Sequence, residues 1–348
     1  MEPLKDIGGP AQPLLTVTGL VKHFPLKKDP LGRGGGVVRA VDGVDFEVMK
    51  GETLGVVGES GCGKSTTARL LMQLIEPTRG EVIFDGREVG SRDLPLKEFR
   101  RQVQMVFQDS YASLNPRLTI EDSVAFGPQV HGVSRRESVA RARDLLARVG
   151  LAPQRFAERY PHELSGGQRQ RVNIARALAL QPRMVILDEA VSALDKSVEA
   201  QVINLLLDLK TEFGLTYVFI SHDLNVVRYV SDRVMVMYLG QVAEIGPADA
   251  LYEMPAHPYT RALLSSMPSM DPDNRTEVAA LAGDPPNPIN PPTGCRFHPR
   301  CAIAAPVCSK VVPERIETGS QHAVSCLVHE PGSGHPMAQP QPLQRQAA

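Results

Sequence analysis

The chain has 348 residues, 42% of them hydrophobic, and its charges nearly cancel to a formal net of −1. That length buries a sizeable core, while the balanced charge argues against a protein that coats nucleic acid, which needs a general basic excess. No apolar run approaches the roughly 20 residues that span a bilayer, and residues 1–13 lack a charged-then-apolar leader pattern. The expected home is therefore cytoplasmic, with any membrane work done by docking to other subunits.

Taken in chain order, residues 14–17 read as a short strand and 27–36, rich in Lys, Pro and Gly, as a surface loop. Residues 44–48 alternate, and 53–57 form an apolar run that stops abruptly at Gly58. Helical spacing runs from 64 to 75, and 81–84 form a strand ahead of the Asp85-Gly86 turn. A further strand is read at 103–107, and amphipathic helices at 137–149 and 169–180. Residues 184–187 and 216–220 are continuous apolar runs, the pattern of parallel strands covered on both faces. The helix at 198–209 between them completes a βαβ unit. Beyond Ala256 the periodicity weakens and prolines crowd 285–292. Residues 330–348 are rich in Pro, Gln and Gly and are expected to be disordered.

Gly58, Glu59, Ser60, Gly61, Cys62, Gly63, Lys64, Ser65 and Thr66 match G-x-x-x-x-G-K-[ST], directly after an apolar strand and at the opening of a helix. Glycines let consecutive backbone N–H groups curl around a phosphate where side chains would collide. The following helix adds a field that favours anions. Lys64 supplies a point charge, and the Ser65 hydroxyl can ligate Mg²⁺. After the strand 184–187 come Asp188, placed where a Mg²⁺-binding carboxylate is needed, and Glu189, placed to polarise an attacking water as a general base. Ser165, Gly166, Gly167 and Gln168 follow Leu164 and open the helix 169–180. Ser165 suits an N-cap, and the glycines expose amides, which makes a second anion-binding element.

With Gln108 after the strand 103–107, Ser192-Ala-Leu-Asp195 after Glu189, and His222 after the strand 216–220, the set resembles the nucleotide-binding subunit of ATP-binding-cassette transporters. The resemblance spans roughly residues 14–262, with phosphate loop, glutamine loop, LSGGQ signature, acidic strand end, SALD loop and switch histidine in that family's order. It implies a P-loop NTPase α/β fold: a parallel-sheet RecA-like subdomain, an antiparallel β subdomain and an inserted helical subdomain at about 110–180. The ATP-binding domain would cover 14–255. It also implies two such domains sandwiching two ATP molecules head to tail, with Ser165–Gln168 of one chain completing the site of the other. Glu189 would activate water, Ser65, Gln108 and Asp188 would serve Mg²⁺, and His222 would contact the γ-phosphate. Gln108 would link the site to membrane subunits, Asp195 would steady the dimer, and Phe24 would stack on adenine; a core role for Phe24 stays open.

Residues 108–117, His257-Pro-Tyr259-Thr260 and 291–301 (PPTGCRFHPRC) resemble the dipeptide and oligopeptide importer branch, where proline is commoner than Ser110. The expected partners are a second ATPase subunit, identical or paralogous, two transmembrane permeases and, indirectly, a solute-binding protein, with no nucleic acid. The expected site of work is the cytoplasmic face of the inner membrane. The alternative is a soluble cassette ATPase acting on nucleic acid or the ribosome; the single phosphate loop and the absent basic excess count against it.

Of five cysteines, Cys295, Cys301, Cys308 and Cys326 gather late in the chain as C-x5-C-x6-C-x17-C. Gathered cytosolic thiols suit metal better than disulfides. The spacing is looser than that of zinc ribbons, and the resemblance implies a [4Fe-4S] cluster in a C-terminal region at 256–330. Zinc and free buried thiols remain open. The tail would be 331–348.

Overall fold

The computed structural model describes residue 9 and residues 11–26, 35–267 and 283–338. Two long antiparallel strands open it, β1 (Pro13–Leu26) and β2 (Gly36–Met49), paired from Pro13↔Met49 to Leu26↔Gly36. Both are longer than the apolar pattern suggests, because their outer ends are held by backbone pairing while their side chains stay polar or exposed. Of the expected loop at 27–36, residues 27–34 lie outside the described residues, and Gly36 belongs to β2.

β3 (Thr53–Val57) leads into α1 (Lys64–Leu71), followed by β4 (Arg79–Phe84) and β5 (Arg87–Glu88). α1 stops four residues before the expected end: Gln73 takes a left-handed φ of 52° while its N–H turns back to Leu70 O, closing the helix. The strands β2-β1-β4-β5 form an antiparallel sheet.

Next come α2 (Leu96–Gln102) and β6 (Val103–Val106), then the helices α3 (Ile120–Val130), α4 (Arg135–Arg148), α5 (Pro153–Phe156) and α6 (Gly166–Leu178). α3, α4 and α6 pack as an inserted helical unit around Val124, Leu145, Leu146 and Val172, all buried. The chain returns through β7 (Met184–Asp188), α7 (Lys196–Phe213), β8 (Thr216–Ile220), α8 (Leu224–Val230), β9 (Arg233–Tyr238) and β10 (Gln241–Pro247). α9 (Ala248–Glu253), α10 (Pro258–Ser265), β11 (Ile316–Gly319) and β12 (His322–Val324) complete it.

The main sheet has the order β11-β12-β10-β9-β3-β8-β7-β6, parallel from β9 to β6. Its central strands are buried on both faces, and the pleat sorts their side chains by period two. Met184, Ile186, Val218 and Ile220 join the core shared with the antiparallel sheet, while Val185, Leu187, Tyr217 and Phe219 join the core under the helices. Truncating one of these, as in Ile186→Ala, is expected to cost about 2–5 kcal/mol.

The region after α10 is largely irregular, as its composition implies, yet it is joined to the main sheet. β12 pairs antiparallel with β10, Glu244 opposite Val324 and Ile245 opposite Ala323. The fully buried Glu244 carboxylate accepts from Ala256 N at 2.7 Å and His257 N at 2.9 Å and lies 2.7 Å from His322 Nε2. In the expected disordered tail, residues 331–338 form turns, with His335 buried and its Nε2 3.0 Å from Ile303 O. Residues 339–348 lie outside the described residues. Among the described residues no helix is long and apolar enough to cross a membrane.

Candidate functional site

β3 delivers the chain to a loop that only glycine can make at two points. Gly58 has φ 147°, and a Cβ there would fall 2.2 Å from Met237 O. Gly63 has φ 111°, with a Cβ position 2.4 Å from Ala40 O. Gly63 is the N-cap of α1, so the first free N–H groups of that helix open onto the loop. Lys64 is 5% exposed, and its Nζ donates to Gly58 O at 2.7 Å and Glu59 O at 3.0 Å, which holds the ammonium across the loop.

The loop edges a cavity of about 310 Å³, large enough for much of a nucleotide. Ser60, Gly61, Gly63, Lys64, Ser65 and Thr66 line it, joined by Gln108 and Glu189. Val38, Ala40 and Pro288 supply the opposite wall. Three expected loop residues do not line it. Gly58 packs on β9, Glu59 turns its side chain toward Arg300, and Cys62 buries its thiol 3.7 Å from Lys64 Nζ. Burial pushes that thiol above its ordinary pKa although Lys64 opposes the shift, so Cys62 is a packed neutral group.

The end of β7 brings in the acids. Ser65 Oγ donates to Asp188 Oδ1 at 2.9 Å. Burial pushes the Asp188 carboxyl above its ordinary pKa; the Ser65 bond opposes this and the neighbouring Glu189 charge adds to it. A carboxylate that is poorly solvated and crowded by a second one is a ready partner for a divalent cation, which reverses that balance. Glu189 sits at φ 48°, left-handed and strained for a non-glycine residue, and is held there by its N–H bond to Ile220 O at 3.0 Å. That turn aims its carboxylate into the cavity. Its Oε2 accepts from Gln108 Nε2 at 2.9 Å and lies 3.5 Å from His222 Nδ1. Gln108, Glu189 and His222, distant in sequence, thus meet around one oxygen.

Ser165 caps α6 as expected: its Oγ accepts from Gln168 N at 3.4 Å while its own N–H donates to Gln168 Oε1 at 3.0 Å. Gly167 lies so close to α7 that a Cβ would fall 2.5 Å from Val198 Cγ1. None of Ser165, Gly166, Gly167 and Gln168 lines the cavity, so within a single chain the capped end of α6 stays apart from the phosphate loop. Asp195 stands exposed at the start of α7. Phe24 is exposed on the antiparallel sheet, opposite the cavity-lining Val38, with Lys22 Nζ 5.2 Å from its ring centroid. Its place is a surface beside the site and not the core.

The four late cysteines do come together, all lining one cavity of about 20 Å³ with His257, His298 and His335. Cys295 N donates to Cys308 O at 2.8 Å, and Ala305 N to Cys308 Sγ at 3.5 Å. Burial lifts Cys295 and Cys326 to about 11, and Cys301 upward, with neighbouring cysteines adding to the shift. Among the described residues, however, no group of three or more His, Cys, Asp or Glu side chains is set to hold a metal ion. The expected iron–sulfur or zinc site is therefore not carried by a preformed donor set among the described residues.

The contributions of Val38, Ala40 and Pro288 were not anticipated from sequence, nor was the pairing of Glu59 with Arg300. Pro288 is placed by Arg39 N, which donates to its carbonyl at 3.2 Å. One signal pointed that way: a carboxylate at Glu59 inside a phosphate loop needs a compensating cation.

The profile of the family described as ABC transporter matches residues 41–192, and that of the oligopeptide/dipeptide transporter C-terminal region matches 243–308. The chain is 51% identical to the probable peptide ABC transporter ATP-binding protein y4tS of Sinorhizobium fredii, over 92% of this chain and 91% of that one. It is 50% identical to the oligopeptide transport ATP-binding protein AppF of Bacillus subtilis, over 91% and 97% of the two chains. Identity is 49% to the di/tripeptide transport ATP-binding protein DppF of Pseudomonas aeruginosa, over 90% and 97%. Among solved structures, it superposes on cbiO1 of Clostridium perfringens, part of the ABC transporter complex cbiONQ, with a TM-score of 0.59, 27% identity and 70% and 91% coverage. The ADP- and phosphate-bound dimer of the ATP-binding cassette MJ0796 gives a TM-score of 0.58, 30% identity and 67% and 98% coverage.

Proposed function

This chain belongs to the ABC transporter family as one of its ATP-binding proteins, and on that premise we propose that it energises import of peptides or related small solutes through a crossed pair of ATPase subunits. The observation that carries the reading is the division of the site: Glu189, Gln108, Lys64 and Ser65 share one cavity, while Ser165–Gln168 lie outside it. A second subunit, identical or paralogous, supplies the missing amides. The names of the relatives support the cargo class, and the matching C-terminal region supports the branch.

In this mechanism the N–H groups of 60–66 and the Lys64 ammonium bind and orient the phosphates, at the positive end of α1. Ser65, Gln108 and Asp188 would hold Mg²⁺, and the ion would neutralise developing phosphate charge. Glu189 takes a proton from the attacking water at its carboxylate, and His222 steadies that carboxylate and the terminal phosphate. The partner's Ser165-capped helix end completes the clamp only when the pair closes, so hydrolysis is tied to closure. Phe24 offers a face to the base. Gln108, at the end of β6 and bordering the helical unit, passes closure to two transmembrane permeases, which receive cargo from a solute-binding protein. The work takes place at the cytoplasmic face of the membrane.

We assign 14–255 to the ATP-binding domain, with 110–180 its helical unit, and 256–330 to the C-terminal region. For the four-cysteine cavity we propose a [4Fe-4S] cluster, a reading that rests on four thiols lining one space of about 20 Å³, too small for a cluster unless the thiols move apart. Zinc is the alternative outcome of its test, and the lack of a compact donor group among the described residues counts against cluster and single ion alike. A cassette ATPase acting on nucleic acid or the ribosome is not favoured, given the net charge of −1 and the transport relatives.

The deciding experiment reconstitutes the chain with its permeases and partner ATPase in vesicles and follows uptake of labelled di- and oligopeptides. ATP-dependent uptake that disappears with Glu189→Gln supports the proposal. ATPase activity indifferent to permeases but stimulated by nucleic acid or ribosomes overturns it.

A further inference from the structure

Glu59 places a carboxylate in a loop that cradles phosphates, where an unanswered negative charge would repel the ligand. Its charge is answered from the C-terminal region. Arg300 Nη1 donates to Glu59 Oε2 at 2.7 Å and Nη2 to Oε1 at 3.0 Å, a bidentate fork. The Arg300 side chain is 5% exposed and that of Glu59 20%, so water screens the pair poorly. The same guanidinium donates to Gly283 O at 3.0 Å and the Tyr238 hydroxyl at 3.4 Å. The bond to Glu59 raises the Arg300 pKa further, so its charge is permanent.

A second contact grips the same residue from another element. Glu59 N donates to the Tyr259 hydroxyl at 2.9 Å. Tyr259 is fully buried, its ring centroid 4.6 Å from that of Tyr238 and 5.3 Å from that of Phe297. The backbone and the side chain of one loop residue are therefore both fixed by residues beyond 255, and the anchor is a packed aromatic cluster at the end of β9.

We propose that Arg300 is a positioning residue for the nucleotide site: it holds Glu59, and with it the phosphate loop, and cancels a charge that would oppose a polyphosphate. The C-terminal region is then a working part of the ATP site. This rests on reading 58–66 as the ATP-binding loop, which a Lys64→Ala control tests separately. If parent and Lys64→Ala bind MgATP alike, that reading fails whatever Arg300 does.

The test measures the dissociation constant for MgATP and the thermal midpoint on the full-length chain. Arg300→Ala is expected to weaken MgATP binding about tenfold, the scale of a lost charge-assisted fork, and Arg300→Lys to weaken it less. Adding Glu59→Gln to Arg300→Ala should recover most of the affinity, because the repelling carboxylate is gone. A merely structural anchor would lower the midpoint in all three variants without that rescue. Unchanged affinity in Arg300→Ala, or no gain on adding Glu59→Gln, overturns the proposal. Should Arg300→Ala fail to fold, Arg300→Lys with and without Glu59→Gln gives the same comparison.

Discussion

Gln108 and Glu189 share a hydrogen bond across the mouth of the nucleotide cavity, Nε2 donating to Oε2 at 2.9 Å. The amide comes from the end of β6 and the carboxylate from the end of β7, neighbouring parallel strands. The bond therefore joins the segment that leads into the helical unit to the group proposed to activate water. While it stands, one carboxylate oxygen is already engaged, so in the proposed mechanism this contact would link movement of the helical unit to readiness for hydrolysis.

Replacing that carboxylate separates chemistry from binding. Glu189→Gln keeps a hydrogen-bonding group but cannot accept a proton, and its turnover is expected to fall at least about 100-fold with MgATP affinity nearly unchanged. Phosphate release and equilibrium nucleotide binding, measured side by side, check this. Turnover equal to the parent's would remove Glu189 from the mechanism.

Asp188 gives a pH-linked prediction. Burial raises its pKa above the ordinary 3.8, so the folded chain holds that proton more tightly than the unfolded one. Its ionisation hence costs stability, a cost that sets in as pH rises past 3.8 and is complete above the folded-state value. Asp188→Asn should raise the thermal midpoint of nucleotide-free protein at neutral pH by about 2–4 °C. That gain should vanish at acid pH, and the variant should lose the added stabilisation that MgATP gives. A lowered midpoint at neutral pH would contradict it.

The crossed site is testable with two broken chains. Lys64→Ala spoils the phosphate loop and Ser165→Arg spoils the capped end of α6; each is expected to be inactive alone. When two copies of this chain pair, mixing the variants leaves one intact site per mixed pair, so activity returns to a fraction of the parent's. If the mixture stays inactive while each variant still pairs with the parent, the two halves belong to one chain.

The cysteine cavity makes a chemical prediction. If the proposed cluster forms, protein purified without oxygen carries about four irons per chain and absorbs broadly in the visible, and Cys301→Ser loses both. Colourless, iron-free protein with one zinc would replace the cluster by an ion. Metal-free protein should alkylate slowly at neutral pH, because burial pushes Cys295 and Cys326 up to about 11.

The strands at 53–57, 184–188 and 216–220 were legible because strands covered on both faces read as unbroken apolar runs. The loop at 58–66 was legible because tight backbone geometry demands glycine at fixed places. The outer halves of β1 and β2 were not, since backbone pairing holds them and leaves no side-chain pattern. Nor was the pairing of β12 with β10: Ala323 and Val324 are too few to show periodicity, and their partners lie far back in the chain. Pro288 and Arg300 escaped for the same reason. They reach the site through tertiary packing of a segment whose composition reads as linker.

The β10–β12 pairing also governs how the molecule is made. On the ribosome, β10 emerges well before the residues that cover its free edge, so the nascent chain carries an open strand until 322–324 have left the tunnel. Arg300 arrives late for the same reason, leaving Glu59 uncompensated in the interim. A message cut short after β10 would yield a sheet with an open edge that can recruit stray strands, and a phosphate loop without its Arg300 partner.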